Sequence, residues 1–241
     1  MAILALTAAS VYIHDYDFTG DSNRLELKSD VAVLDATTFR SGGWTELAGG
    51  LRTGSLTLDG FWQSAASGAV DLELFPDLGV LALPATIAAS ETETGTAYMA
   101  QVGKFGTQVF GKIGELAPFT LTAANTSTLG VIRGQLAAKR QTVAATGALG
   151  SGCNLGAVSA TQFVYATFHV FSAGTTITAV VESASAGTFA GATTRSTIGP
   201  LTTTGSVWIT RVAGPITDTW WRLRVSAITG SFSVAGAIGI Q

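Results

Sequence analysis

Apolar and polar residues alternate with a period of two along much of the chain. Leu25 and Leu27 alternate with Glu26 and Lys28, and the same pattern recurs at 31–33, 56–59, 176–181, 220–225 and 231–234. Successive side chains of a strand point to opposite faces, so this alternation predicts antiparallel strands with one buried face. Thr, Val, Ile and Trp are common in these stretches, which favours the same interpretation.

Signals for helices are few. The strongest lies at 67–78, where Val70, Leu74 and Leu78 are spaced four residues apart, but Pro76 restricts it to one short helix. A weaker helical pattern covers 128–140. The sequence therefore predicts an all-β fold with one short helix.

The clearest candidate boundary is the uncharged, glycine-rich segment 144–157. We predict a flexible linker there, between a β-rich core domain at 1–143 and a C-terminal β-sandwich, Ig-like or jelly-roll-like, at 158–241. The apolar start, 1–10, continues directly into the apolar residues 11–13. Because it lacks a basic segment, we expect a first strand there rather than a signal peptide.

The composition indicates a surface that is largely covered by partners. Charged residues make up 12% of the chain, about half the share in an ordinary soluble domain, whereas apolar residues make up 47% and glycines number 29. The first hundred residues hold 13 acidic and four basic side chains. This part is unsuited to gripping a phosphate backbone, which requires Lys and Arg. It would suit a surface that faces DNA without adhering to it.

Residues with catalytic chemistry are sparse and scattered. His14 and His169 are the only histidines and Cys153 is the only cysteine, and their separation gives no metal-ligand spacing. His14 and the neighbouring Asp15 could form a dyad, although a histidine on a strand surface is the simpler interpretation. We interpret His169 as a strand position and Cys153 as a bystander thiol in the linker.

Sites for metals, phosphates and membranes are equally weak in the sequence. Asp15, Asp17 and Asp21 are spaced as in a calcium loop, but the glycine and the closing glutamate of such a loop are missing. No phosphate-binding motif is present, and no uncharged stretch suits membrane insertion. We therefore predict a protein that is not an enzyme and that uses no metal or cofactor.

Three tryptophans in the C-terminal part suggest a different function. Trp208, Trp220 and Trp221 could form a platform for stacking on sugars, as in carbohydrate-binding sandwiches. Adjacent residues of a strand point to opposite faces. We therefore favour one of Trp220 and Trp221 in the core and the other at an interface.

The most specific motif lies at 35–62. It reads DATTF at 35–39, GGWTE at 42–46 and GGLRTGSLTLDGFW at 49–62. This region resembles the N-terminal part of the major tail tube proteins of long-tailed, siphovirus-type bacteriophages, in which a D-x-T-T-F turn precedes a strand with a glycine–leucine start. Gly49 departs from that pattern, which often has proline. The resemblance is specific over about residues 10–62 and extends less specifically over most of the chain.

The resemblance implies both a fold and a function. The fold would be an all-β tail-tube core, a β-sandwich or barrel with one short helix, followed by the C-terminal sandwich. The protein would be a structural subunit that self-assembles into hexameric rings, and the stacked rings would form a channel for viral genome ejection. It would be assembled in the host cytoplasm and located in the virion tail. Other tail proteins would bind the tube ends, and DNA would pass through the lumen without specific binding.

The resemblance also implies roles for individual residues. Residues 35–62 would form a lumen-side hairpin whose loop contacts the neighbouring subunit or ring, and the sandwich at 158–241 would lie outside. The candidate contact residues are Asp35, Thr37, Thr38, Phe39, Trp44, Leu51, Phe61 and Trp62. The candidate lumen acids are Asp30, Asp35, Glu46 and Asp59.

Two other functions stay open on the sequence alone. One is a different self-assembling subunit, either another virion component or a bacterial surface-layer or fimbrial protein. The other is a carbohydrate-binding or adhesin module that uses the C-terminal sandwich. Rings with a central channel would separate the tail tube from both.

Overall fold

The computed structural model describes residues 8–63, 69–209 and 211–241. The described residues form strands almost throughout, with a 3₁₀ turn at Phe18–Gly20 and one α-helix, so the all-β prediction is confirmed. The strands are β1 Ser10–Ile13, β2 Tyr16–Asp17, β3 Ser22–Asp35, β4 Leu47–Phe61, β5 Leu83–Ala88, β6 Thr96–Val109, β7 Pro118–Asn125, β8 Ile132–Val143, β9 Gly147–Asn154, β10 Phe163–Ser172, β11 Thr176–Ala184, β12 Thr193–Leu201, β13 Gly205–Trp208, β14 Val212–Ala213, β15 Trp220–Thr229 and β16 Phe232–Ile240.

The predicted first strand is present as β1, while residues 1–7 of the apolar start lie outside the described residues. The predicted helix is confirmed in a shorter form, α1 at Val70–Leu74, and the predicted residues 67 and 68 lie outside the described part. The weaker helix at 128–140 is wrong, because 132–143 is strand β8. Ile132, Gly134 and Leu136 are buried there with a period of two, and pairing with β16 decides the local structure.

The chain divides into two compact units that are interleaved along the sequence. The sandwich unit comprises Met1–Gly20, Leu83–Gln101 and Ile132–Gln241, and the hairpin unit comprises Asp21–Ala82 and Val102–Val131. This division differs from the predicted succession of 1–143 and 158–241, because strands on both sides of the expected boundary share one unit.

The expected linker at 144–157 is wrong in its central part, which is strand β9 paired with β15. Two of its glycines, Gly150 and Gly152, lie where the chain is closely packed. A Cβ at Gly150, where φ is +66°, would overlap the carbonyl oxygen of Ala137, and a Cβ at Gly152 would lie 2.5 Å from the ring of Phe189. Cys153 is a buried core residue, and burial raises the pKa of its thiol to about 12.

The sandwich unit contains two sheets. One has the strand order β13-β10-β16-β8-β6-β5-β1-β2, with β14 also on β10, and the other has the order β12-β11-β15-β9. The core shared by the two sheets is built from alternate residues of their strands, among them Phe168, Trp221 and Phe232, all with no exposed surface. Trp221 also donates its indole N–H to the carbonyl oxygen of Gly156 at 3.0 Å, so its one polar atom is satisfied.

His169 is a strand position, as predicted, and it is fully buried in β10. Its Nδ1 lies 2.8 Å from the carbonyl oxygen of His14, which can only accept, so this nitrogen carries the proton. Its Nε2 accepts from the hydroxyl of Thr86 at 2.9 Å, and the hydroxyl of Thr167 donates to that of Thr86 at 2.6 Å. Burial lowers the pKa of His169 from 6.5 to about 4.

This histidine makes the fold sensitive to acid. In the unfolded chain His169 takes up a proton below pH 6.5, whereas in the folded chain it stays neutral down to about pH 4. We expect its contribution to lower the free energy of unfolding by about 3 kcal/mol as the pH falls across this window. Urea denaturation at a series of pH values measures the loss. The variant His169→Gln should lose less over the same window, and equal losses would contradict the prediction.

The hairpin unit is built on one antiparallel sheet with the order β3-β4-β7-β6, to which β6 contributes its part from Val102 onward. One face of this sheet is apolar. Leu56 and Leu58 of β4 and Phe119 and Leu121 of β7 are buried there. The opposite face is polar, because the residues that alternate with them are Ser55, Thr57, Asp59 and Thr120.

A buried lysine joins the helix to this sheet. Lys104 of β6 has no exposed side-chain surface, and its Nζ donates to Asp77 Oδ2 at 2.8 Å and to the carbonyl oxygen of Glu73 at 2.9 Å. Glu73 lies in the last turn of α1, so the ammonium group interacts favourably with the negative end of the helix as well as with the carboxylate. Nothing in the sequence pattern signals this pair.

Candidate assembly surfaces of the hairpin unit

Strands β3 and β4 extend beyond the sheet as a two-stranded ribbon. The pairing of β4 with β7 ends at Ser55 and Ala124, whereas β3 and β4 stay paired to Asp35 and Leu47. Among the described strands, β3 pairs with β4 alone, so its outer edge is open along its whole length. Two-stranded ribbons are marginally stable in water, and open edges bind other strands. The ribbon therefore has the character of an element that is completed by a partner.

Exposed apolar side chains support the same conclusion. All the large apolar side chains that are exposed in the described part of the chain belong to the hairpin unit. Those of the ribbon and its loop are Val31, Val33, Leu34, Phe39, Trp44, Leu47 and Leu51. A monomeric surface rarely carries so many apolar side chains close together, so this unit is the candidate for contact with partners.

The loop at 36–46, which joins β3 to β4, is held by hydrogen bonds from the DATTF motif. Asp35 Oδ1 accepts the N–H of Thr37 at 2.9 Å. Hydrogen bonds from the side chain and then from the backbone of Thr37 lower the pKa of this carboxyl. The hydroxyl of Thr37 accepts the N–H of Glu46 at 2.9 Å, and the N–H of Thr38 donates to Ser41 Oγ at 3.0 Å. The motif thus orders the loop by itself.

The ordered loop presents two aromatic rings to solvent. Phe39 is fully exposed and Trp44 is 80% exposed. Neither ring is needed for the hydrogen bonds that hold the loop, which use Asp35, Thr37 and Ser41. The rings are therefore available for contact with another molecule.

The predicted contact residues do not form one group. Asp35, Thr37, Thr38, Phe39 and Trp44 meet at the loop, and Leu51 is exposed on the ribbon.

Phe61 and Trp62 lie at the other end of β4, roughly 45 Å along the strand from the loop. Trp62 donates its indole N–H to Asp71 Oδ1 at 2.9 Å and packs edge-on against Phe110 at 4.9 Å. It therefore has a role within its own unit.

Sequence reasoning missed two other exposed apolar groups. One follows β6, where Phe110, Ile113 and Leu116 lie on the connection to β7. The other surrounds α1 and includes Leu72 and Phe75. The sequence does contain a signal for the first group. Its apolar residues stand among glycines in a turn-like stretch, where they are not needed to form a core.

The predicted lumen acids also lie in different places. Asp30 and Asp59 share the polar face of the sheet, as the register of β3 and β4 shows. Asp35 falls on the opposite face by alternation, and its carboxylate is engaged in the loop. Glu46 lies in the loop, outside the strands.

The polar face carries a connected set of ion pairs. Arg24 donates from Nη1 to Asp59 Oδ2 at 3.3 Å and from Nη2 to Glu26 Oε2 at 3.2 Å. Lys28 Nζ lies 2.8 Å from Glu26 Oε1. Asp59 Oδ1 accepts the hydroxyl of Thr120 at 2.7 Å. Both cations in this set, Arg24 and Lys28, are therefore paired with carboxylates of the same face.

Residues considered for chemistry in the sandwich unit are engaged in other contacts. His14 Nε2 lies 4.0 Å from Asp15 Oδ1, which is too long for a hydrogen bond, and His14 Nδ1 lies 3.1 Å from Ser206 Oγ. Asp17 pairs with Arg140 at 3.2 Å. The dyad is thus not formed as a hydrogen-bonded pair.

The calcium-like spacing also leads to other partners. In the hairpin unit, Asp21 Oδ1 accepts from Gln63 at 2.9 Å. Across residues 8–63, 69–209 and 211–241, no cluster of three or more His, Cys, Asp or Glu side chains is arranged to hold a metal ion. No helix in those ranges has the length and apolar character of a membrane span.

The three tryptophans do not form one platform. Trp221 is in the sandwich core and Trp220 is half-buried on the opposite face of β15, so the predicted division of this pair is confirmed for the core residue. Trp208 pairs with Thr167, which lies on the face of β10 that points away from that core. Trp208 and Trp220 therefore point to opposite sides of the sandwich.

Comparison with known proteins gives remote structural likenesses. No protein-family model matches the chain, and no curated protein matches it. A chain from the virion of a native gene transfer agent particle is 16% identical, with a TM-score of 0.44 over 54% of this chain and 98% of that chain. The SPP1 tail tube is 8% identical, with a TM-score of 0.39 over 55% of this chain and 78% of that chain. The SPP1 Dit protein, a hub of the adsorption apparatus, is 11% identical, with a TM-score of 0.37 over 96% and 99%.

Proposed function

We propose that the protein is a structural, non-enzymatic subunit of a phage-type tail tube. The observation that carries the proposal is the sheet of the hairpin unit, which combines an open edge strand with a polar face on which Arg24 and Lys28 are paired with carboxylates. A sheet of this kind can be completed by copies of itself and can then line a channel. The DATTF motif at the loop supports the same class of protein, by resemblance.

Lateral contact between copies would remove the open edges. At one side of the sheet, β3 has its outer edge free of described partners. At the other side of the sheet, β6 pairs with β7 along one edge, and its outer edge is contacted at Lys104, whose carbonyl oxygen accepts the N–H of Gly79 at 2.9 Å. Residues 106–109 lie beyond this contact on the outer edge. Pairing β3 of one copy with 106–109 of the next makes a head-to-tail contact, and a rotation that closes turns such contacts into a ring.

The resemblance implies six copies in this ring. Six four-stranded sheets with strands about 4.8 Å apart and tilted by about 40° close a barrel about 50 Å across between backbones. Such a barrel leaves an interior wide enough for duplex DNA. The polar face, with its hydroxyl and paired charged side chains, would line that interior.

The exposed aromatic rings of the loop suit stacking between rings of subunits. Phe39 and Trp44 stand at the end of the ribbon, where a contact along the tube axis would bury them. Burying a large aromatic ring provides about 1.5–3 kcal/mol of association energy. A heterologous contact of this kind propagates into a tube, whose ends would be closed by other tail proteins in the virion.

Electron microscopy of the purified protein tests this function. We expect stacked rings with a central channel, and averaged end views should give the ring number and a barrel diameter near the value above. A protein that stays a dispersed monomer at every concentration would overturn the proposal. Filaments without a channel would instead favour a fimbrial type of subunit.

A further inference from the structure

Charges of alternating sign run along the polar face of β3. Arg24, Glu26, Lys28 and Asp30 occupy every second position, so they share one face. Asp59 stands directly opposite Arg24 on β4. The row thus carries as many carboxylates as cations, and the neighbouring strand adds one more carboxylate.

Glu26 is the centre of this row. One of its oxygens accepts from Arg24 at 3.2 Å and the other lies 2.8 Å from the ammonium group of Lys28. The same contacts lower the pKa of Glu26 and raise that of Lys28, and for both groups the largest cause is their mutual hydrogen bond.

Asp59 completes the row on β4. It accepts the remaining guanidinium contact of Arg24 at 3.3 Å while the hydroxyl of Thr120 holds its other oxygen. Each cation therefore has a carboxylate from the same chain.

We propose that Glu26 and Asp59 act as built-in counter-ions that prevent Arg24 and Lys28 from holding the phosphates of duplex DNA. The inference rests on the proposed tube, in which this face lines the channel. In this view the channel wall carries paired charges in place of the acidic lining that the sequence predicted. DNA then slides because the cations of the wall are already occupied, without strong repulsion from the wall.

The counter-ions matter because the side chains of both cations are exposed. The side chains of Arg24 and Lys28 are 66% and 60% exposed, so both could reach a phosphate if their carboxylates were absent. Phosphate binding by Lys and Arg is driven by release of the counter-ions condensed on DNA. A cation that must first leave a carboxylate gains less from that exchange. Around this row the face offers neutral hydroxyls from Thr57 and Thr122, which add no charge.

The test is DNA binding by the variant Glu26→Gln/Asp59→Asn. These amides keep the shape of the carboxyl groups and can still accept from Thr120, so the fold should be unaffected. Fluorescence anisotropy with a short labelled duplex at low salt is expected to give at least a tenfold gain in affinity over the wild type. The logarithm of the binding constant should fall with the logarithm of salt concentration with a slope of about −2 per chain, for two phosphate contacts.

Two control variants isolate the effect. Glu91→Gln/Glu115→Gln changes the net charge by the same amount away from this face and should bind DNA no better than the wild type. Adding Arg24→Gln and Lys28→Gln to the test variant should return binding to the wild-type level. If the test variant binds no better than the charge-matched control, or if the wild type already binds as tightly, the proposal is wrong.

Binding is measured on the dispersed chain as well as on assembled rings, so the two proposals can fail separately. A gain in affinity without rings by microscopy would overturn the tube and leave the pairing of charges on this face intact. Rings without a gain in affinity would do the reverse. The single variant Glu26→Gln, which frees Lys28, should show a smaller gain in the same direction.

Discussion

A chain with both Val31→Lys and Val33→Lys is expected to fold normally and to stay dispersed under conditions in which the wild type forms rings. Val33 is 69% exposed and Val31 is 47% exposed, so lysine at either position disturbs no core. In the proposed ring, β3 lies against the next copy, where the added charges would be desolvated without partners. Charged residues, lysine above all, are a common natural device against pairing of edge strands.

We expect the concentration at which rings form to rise at least a hundredfold. Analytical ultracentrifugation and electron microscopy measure assembly, and circular dichroism with thermal denaturation checks the fold. The matched control is Thr202→Lys/Thr203→Lys, which adds the same charge in an exposed turn of the sandwich unit and should assemble as the wild type does. Rings formed by the Val31/Val33 variant at wild-type concentration would show that β3 is not at the interface.

The variant Asp77→Ala is expected to be destabilised by about 3 kcal/mol. The substitution leaves the ammonium group of Lys104, which has no exposed surface, without its carboxylate. The side chain of Asp77 is itself 22% exposed, so we place the effect at the lower end of the range for broken buried pairs. Urea denaturation measures the loss.

The double variant Asp77→Ala/Lys104→Met separates the buried charge from the shape of the site. Methionine fills much of the volume of lysine without a charge to desolvate, so we expect the double variant to regain most of the lost stability. A single variant that loses less than about 1 kcal/mol would mean that water or rearranged groups solvate Lys104. In that case α1 would not depend on this ion pair.

Local patterns in the sequence predicted local structure well. The alternation at 25–28 and 56–59 predicted which residues lie on each face of the sheet, because a half-buried strand has a period of two. The DATTF motif predicted the loop, because its side chains form hydrogen bonds with backbone groups a few residues away. Pro76 correctly limited the helix, which ends at Leu74.

Features that depend on distant contacts could not be predicted. The glycines at 150 and 152 have the composition of a linker, but their backbone is pressed against Ala137 and Phe189, which are remote in sequence. Lys104 is a single lysine in a strand. Its side chain is buried because Asp77 and α1, which lie elsewhere in the sequence, pack against it. The paired charges of the polar face depend likewise on register. The sequence shows the acids, but only the pairing of β3 with β4 brings Asp59 to Arg24.

The position of β16 has a consequence for how the protein is made. This strand follows all the other described strands in sequence, yet it lies between β10 and β8 inside its sheet. While the ribosome is still translating earlier codons, β8 and β10 each keep an unpaired edge, and the long-range pairing that joins them must wait. A chain interrupted before Phe232 would expose the unpaired edges of β8 and β10 and would lack part of its core. We expect proteases to degrade such a chain. Only chains that include β16 would then complete the sandwich unit and persist.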